Sequence, residues 1–108
     1  MNLNSKKYPE LSNCKIAVLG LGYVGLPLAL LFAETKESHI DNSKLLRKVI
    51  GFDINKKRIN ELEKGIDKTN EVSKSDLLNS KNLKFTFNDH ELKETDVFII
   101  TVPTPIDK

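Results

Sequence analysis

The run from Ile16 to Ala33 is apolar at every position but Tyr23, yet Gly20, Gly22, Gly25 and Pro27 are set inside it. At 18 residues it reaches the lower limit for a membrane-spanning helix. A continuous helix is a poor reading of it, because three glycines and a proline fall within a few turns. Cys14 to Leu19 (CKIAVL) carries β-branched residues, and Leu26 to Glu34 is rich in leucine and alanine. The run therefore predicts a buried strand, a glycine turn from Gly20 to Gly25 and a helix. Pro27 falls in the helix's first turn, where its missing N–H removes no hydrogen bond. Lys6, Lys7 and Lys15 precede the run as in a secretory signal, but no small-residue cleavage pattern follows Ala33.

The turn reads GLGYVG, and each glycine in this spacing answers a different steric demand. The first permits a tight exit from the strand, the second lets a pyrophosphate approach the backbone, and the third lets the helix pack closely on the strand. Free amides at the helix start and the helix dipole then favour an anion there. The pattern is weak alone and needs a following strand that ends in an acid. Val49 to Asp53 (VIGFD) supplies that strand, and Asp53 that acid. A carboxylate so placed accepts hydrogen bonds from adenosine ribose hydroxyls and repels a 2′-phosphate, which favours NAD over NADP. Lys56, Lys57 and Arg58 just beyond soften that exclusion. The spacing departs from the pattern: 28 residues separate Gly25 from Asp53, against about twenty, and the polar stretch Thr35 to Lys48, read as a solvated insertion, absorbs the excess.

The remaining chain continues the alternation of strands and helices. Asn55 predicts the cap of a helix bearing Ile59, Leu62 and Ile66, with Gly65 as its stop. Ser73 to Asp76 resembles a capping box that opens a short helix through Leu77 and Leu78. Leu83 to Phe87 alternates as a short strand, Asp89 to Glu94 makes a brief helical turn, and Val97 to Val102 (VFIITV) reads as a buried strand ended by Pro103 and Pro105. Alternating elements of this kind predict an α/β fold, a partial Rossmann-type doubly wound parallel sheet of three to four strands with flanking helices. Residues 1–13 are polar and read as a flexible leader.

Bland readings compete at each position. Glycine turns join strands to helices without any ligand, and Asp53 with Asn55 could serve only as a helix cap. Basic side chains such as Arg58 on an exposed helix face are usually solvated. Cys14 reads as core packing, and neither it nor His39 or His90 suggests a catalytic pair or a metal site. A single cysteine excludes an internal disulfide and fits a reducing compartment, so the cytoplasm is expected. Seventeen basic against fifteen acidic residues leave a net charge of +2, with no polyanion-binding footprint, so no nucleic-acid partner is expected.

Four segments, KIAVLGLGYVGLPLAL, VIGFDINKKRINEL, GIDKTNEV and VFIITVPTPID, together resemble the UDP-glucose/GDP-mannose dehydrogenases. The tyrosine within GLGYVGLP and the turn VPTP carry more of the resemblance than the glycines do. GIDKTNEV with TVPTPID is similar in particular to the branch acting on UDP-N-acetylhexosamines for surface polysaccharides. The resemblance implies an NAD-dependent oxidation of a nucleotide-sugar C6 hydroxyl to a carboxylate in two steps, by an enzyme that is homo-oligomeric when complete. It implies that Gly20, Leu21, Gly22, Tyr23, Val24 and Gly25 surround the pyrophosphate, that Asp53 holds the adenosine ribose, and that Arg58 lies over the adenine end. It also implies that Val102, Pro103 and Thr104 pass beside the cofactor, Thr104 offering a hydroxyl near the nicotinamide. The family's catalytic cysteine, lysine and asparagine belong to motifs downstream of anything here, and Cys14 does not match that cysteine.

Residues 14–108 are thus expected to be the N-terminal part of an NAD-binding domain, with the rest of that domain and the substrate and catalytic domains absent, and the chain alone inactive. Two other readings stay open: a stand-alone dinucleotide-binding or sensing module, which would bind its nucleotide tightly by itself, and a truncated fragment with no independent role. A different dinucleotide or S-adenosylmethionine enzyme sharing the glycine turn is disfavoured by VPTP.

Overall fold

The computed structural model describes residues 14–34 and 48–101. The expected leader, residues 35–47 of the expected insertion and Val102, Pro103, Thr104 and Pro105 lie outside them; Lys48, read as the insertion's last residue, instead begins a strand. Along the chain come β1 (Lys15–Leu19), α1 (Gly25–Glu34), β2 (Lys48–Phe52), α2 (Lys56–Glu63), α3 (Lys74–Asn79), β3 (Leu83–Thr86), a 3-10 turn (Asp89–Leu92) and β4 (Val97–Ile100). The strands form one parallel sheet in the order β3-β2-β1-β4. Fold class and element order agree with the sequence expectation.

Register decides which side chains share a face. Ile16 stands beside Val49 and Val97, Val18 beside Gly51 and Ile99, and Gly51 beside Phe85. On this face the core gathers Leu26, Ala29, Leu30 and Ala33 of α1, Ile59 and Leu62 of α2, and Leu77 of α3. On the opposite face Ala17 aligns with Ile50 and Phe98, and Ile50 with Lys84. Lys84 pairs there with Glu91 of the 3-10 turn at 2.6 Å, so the β3-to-β4 connection crosses this second face. Right-handed crossovers require that change of side: stepping β1-β2-β3 in one direction puts the connections on one face, and returning past β1 to β4 puts the next on the other. A crevice opens where the direction reverses, at the carboxyl ends of β1 and β4.

The apolar run 16–33 divides as predicted, and its helix is ten residues long. No helix among the described residues is long and apolar enough to cross a membrane. The Asn55 side chain accepts from the Arg58 amide and the Ser73 hydroxyl from the Asp76 amide, so both predicted caps form. Cys14 is buried in the core, as expected, and in no disulfide.

Two further expectations fail. Ile66 is not part of α2, which ends at Glu63. Gly65 follows with φ +82°, the Ile66 amide turns back to the Glu61 carbonyl, and Ile66 is 45% exposed. The short helix through Leu77 and Leu78 forms as expected; it buries Leu77 and leaves Leu78 exposed, since six residues bury only one stripe. β4 ends at Ile100 and is partly buried on one side only: Phe98 and Ile100 are 51% and 68% exposed, being at the sheet edge on the face opposite the three helices.

Candidate functional site

The turn between β1 and α1 is held by its own backbone and by the end of β4. The Gly20 amide donates to the Phe52 carbonyl at 2.8 Å, so the chain leaves β1 still tied to β2. Gly20 then adopts φ +98°, a region only glycine enters without strain. A Cβ at Gly25 would collide with the Gly20 carbonyl and stand 2.7 Å from the Thr101 hydroxyl oxygen, which is the close helix-to-strand packing expected of a third glycine. Gly22 differs from both: a Cβ there would meet nothing within 4 Å. The protein itself does not require glycine at Gly22. What its missing side chain leaves is open space beside the backbone, as a pyrophosphate group requires.

The amides beside that space are uncommitted. Helical hydrogen bonding begins with the Leu26 amide on the Gly22 carbonyl and the Leu28 amide on the Val24 carbonyl. Among the described residues no protein acceptor meets the amides of Gly22, Tyr23 or Val24. Three free donors at the positive end of a helix form an anion cradle. Tyr23 and Val24 are exposed at its rim. The cofactor implied by the motif therefore fits this turn.

Leu21 is the anchor on which the turn is set. Its side chain is fully buried, and its two peptide groups are gripped by residues from the β2–α2 segment. The Leu21 amide donates to one carboxylate oxygen of Asp53 at 2.9 Å, and the Asn55 amide to the other at 3.0 Å. The Leu21 carbonyl accepts two hydrogen bonds from Arg58, from Nε at 2.9 Å and Nη2 at 2.6 Å. Asp53 is thus not the helix cap of the bland reading; Asn55 caps α2, and Asp53 reaches back to the glycine turn. Nor is Arg58 a solvated side chain: it is 11% exposed, and its Nη1 donates to Asp67 at 2.8 Å.

Asp67 is a residue that sequence reasoning missed. Its side chain is 1% exposed and accepts from the Thr69 amide and hydroxyl and from the Glu71 and Val72 amides, besides Arg58. Burial alone would raise its carboxyl; the donations from Thr69, Arg58 and Val72 outweigh that and hold it well below the usual carboxylate range. The signal was present in GIDKTNEV, where an aspartate two residues before a threonine favours a side-chain-closed turn. Thr101 was missed as well. Its hydroxyl donates to the Gly20 carbonyl at 2.8 Å, or to that of Leu19 at 3.2 Å, fastening the turn from the β4 side.

The structure thus brings together Gly20, Leu21, Gly22, Tyr23, Val24, Gly25, Asp53 and Arg58 at the carboxyl end of the sheet. Val102, Pro103 and Thr104 follow Thr101 but lie outside the described residues. A separate hollow lined by Lys15, Lys48, Lys84 and His90 sits at the opposite strand ends, away from where dinucleotides meet such sheets. Among the described residues no group of histidine, cysteine or acidic side chains could hold a metal ion.

Comparison with known proteins agrees with this geometry. Residues 14–108 match the model of the UDP-glucose/GDP-mannose dehydrogenase family, NAD binding domain. UDP-N-acetyl-D-glucosamine 6-dehydrogenase of Pseudomonas aeruginosa is 49% identical over 98 residues, 91% of this chain and 21% of that protein. Protein CapL of Staphylococcus aureus is 50% identical over 96 residues, 89% of this chain and 20% of its own length. Among solved structures, the UDP-D-ManNAc dehydrogenase of Pyrococcus horikoshii superposes with a TM-score of 0.68 at 35% identity, covering 86% of this chain and 21% of that one. The chain spans about a fifth of the length of the curated relatives it matches.

Proposed function

The chain belongs to the UDP-glucose/GDP-mannose dehydrogenase family, matching its NAD-binding domain, and from that premise we propose that it serves a UDP-N-acetylhexosamine 6-dehydrogenase. Such an enzyme oxidises the sugar C6 hydroxyl to a carboxylate in two NAD-dependent steps. The relatives named UDP-N-acetyl-D-glucosamine 6-dehydrogenase support the substrate class. The observation that carries the cofactor site is the open space at Gly22 beside the free amides of Gly22, Tyr23 and Val24.

In this reading the turn receives the pyrophosphate on those amides, and its shape is kept by Gly20, Gly25 and the buried Leu21. Asp53, already accepting from the Leu21 amide, has lone pairs left for the hydroxyls of the adenosine ribose. Arg58 lies toward the adenine end, and Val102, Pro103 and Thr104 continue from β4 alongside the nicotinamide half. The bound NAD supplies hydride acceptance; this chain orients it and contributes no nucleophile. Residues 14–108 form the first part of the cofactor domain, preceded by a leader, and the remaining domain and catalytic parts, the UDP-sugar site and a homo-oligomeric assembly belong to the complete enzyme. Its place in the cell is the cytoplasm, which its single cysteine fits.

The test is a chimera in which residues 14–108 replace the matching segment of the P. aeruginosa enzyme. Oxidation of UDP-N-acetylglucosamine with NADH formation is expected. A folded chimera that binds UDP-N-acetylglucosamine yet forms no NADH would contradict the proposal.

A further inference from the structure

Two of the cations just beyond the ribose acid, Arg58 and Lys56, are engaged elsewhere. Recognition of a ribose 2′-phosphate in such sheets uses an arginine near the ribose-binding acid, and Arg58 stands five residues beyond Asp53. Its carbonyl partner, Leu21, is the residue whose amide Asp53 binds. Arg58 is therefore one residue's span from the carboxylate that would hold the ribose, close enough to answer a phosphate there if its donors were free. They are not free. Nε and Nη2 are spent on the Leu21 carbonyl and Nη1 on Asp67, leaving two of the five guanidinium N–H groups. Lys56, the next candidate, has its ammonium over the Phe87 ring at 5.3 Å.

Asp67 fixes the arginine in that pose. The Leu21 carbonyl alone would let the guanidinium pivot about one acceptor, whereas a second anchor on Nη1 makes a two-point clamp with a set direction. The anchor is itself rigid, since four donors from the 67–72 loop close around its carboxylate. We propose that Asp67 is a specificity-determining positioning residue for the cofactor: by holding Arg58 on the Leu21 carbonyl, it withholds the guanidinium from a ribose 2′-phosphate. Selectivity for NAD over NADP then has two sources, repulsion by Asp53 and sequestration of Arg58 by Asp67. The inference rests on the reading of the glycine turn as the dinucleotide site.

The test is calorimetric titration of the chimera carrying residues 14–108 in the P. aeruginosa enzyme with NAD and, separately, NADP. The unaltered chimera should prefer NAD, and binding of neither by a folded chimera would defeat the reading of the site and this inference with it. Asp67→Asn should shift the ratio of the two affinities toward NADP by about tenfold, the worth of one charge-assisted hydrogen bond. The double variant Asp67→Asn, Arg58→Met should restore the original ratio, and Asp67→Glu should keep it. If Asp67→Asn weakens both cofactors equally, Asp67 is structural only and the inference fails while the site reading stands. Where Asp67→Asn does not fold, Arg58→Met alone decides. It should weaken both cofactors by the same factor, and a selective loss of NADP would show that Arg58 already meets the phosphate, overturning the proposal.

Discussion

At the scale of single residues, the three glycines of one motif do different work, and substitution separates them. Gly20 and Gly25 are required by the protein: one by its positive φ, the other by the Gly20 carbonyl against it. Gly25→Ala should cost about 1–3 kcal/mol in urea unfolding, as overpacked sites do. Gly22→Ala meets no protein atom and should leave the unfolding midpoint almost where it was. Asp67 makes a second residue-scale prediction. Its carboxyl is depressed in the folded state, so it adds stability at pH values above its unfolded pKa of about 3.9, and that stability is lost as pH falls below it. Stability measured from pH 6 down to pH 3 should fall, and Asp67→Asn should flatten that slope. The glycines and Asp53 were legible in the sequence because each answers a local steric or charge demand. The clamp of Arg58 between Leu21 and Asp67 was not, because its partners meet across separations of 37 and 9 residues and no spacing rule joins them.

At the scale of elements, caps and core stripes account for where helices start and which way they face. Asn55→Ala should remove the acceptor for the Arg58 amide and cost about 1 kcal/mol of stability in denaturant unfolding. Leu62→Ala, at a fully buried position beneath α2, should cost about 2–5 kcal/mol by leaving a cavity. Asn55 and Ser73 could be read as caps because the competing backbone donor lies three residues away in the same segment. Helix ends and outer strands were less legible. Ile66 keeps the spacing of Ile59 and Leu62, but the backbone has already reversed at Gly65. VFII reads as buried throughout, although only Val97 and Ile99 face the helices.

At the scale of the whole molecule, the order β3-β2-β1-β4 places the glycine turn beside the strand where the connections change face. The turn therefore opens into a crevice instead of against a packed helix, and Thr101, entering from β4, braces it from across that crevice. Alternating strands and helices made the parallel sheet legible. The strand order was not written in any one segment; it follows from crossover handedness and from burying one continuous face under three helices. We propose that the turn this architecture presents holds NAD at Gly22. The most direct test is calorimetric titration of NAD into the chimera carrying residues 14–108 in the P. aeruginosa enzyme and into its Gly22→Ala variant, with circular dichroism confirming that both are folded. Saturable binding that weakens at least about tenfold in Gly22→Ala is the predicted result; equal binding by the two folded proteins would contradict it.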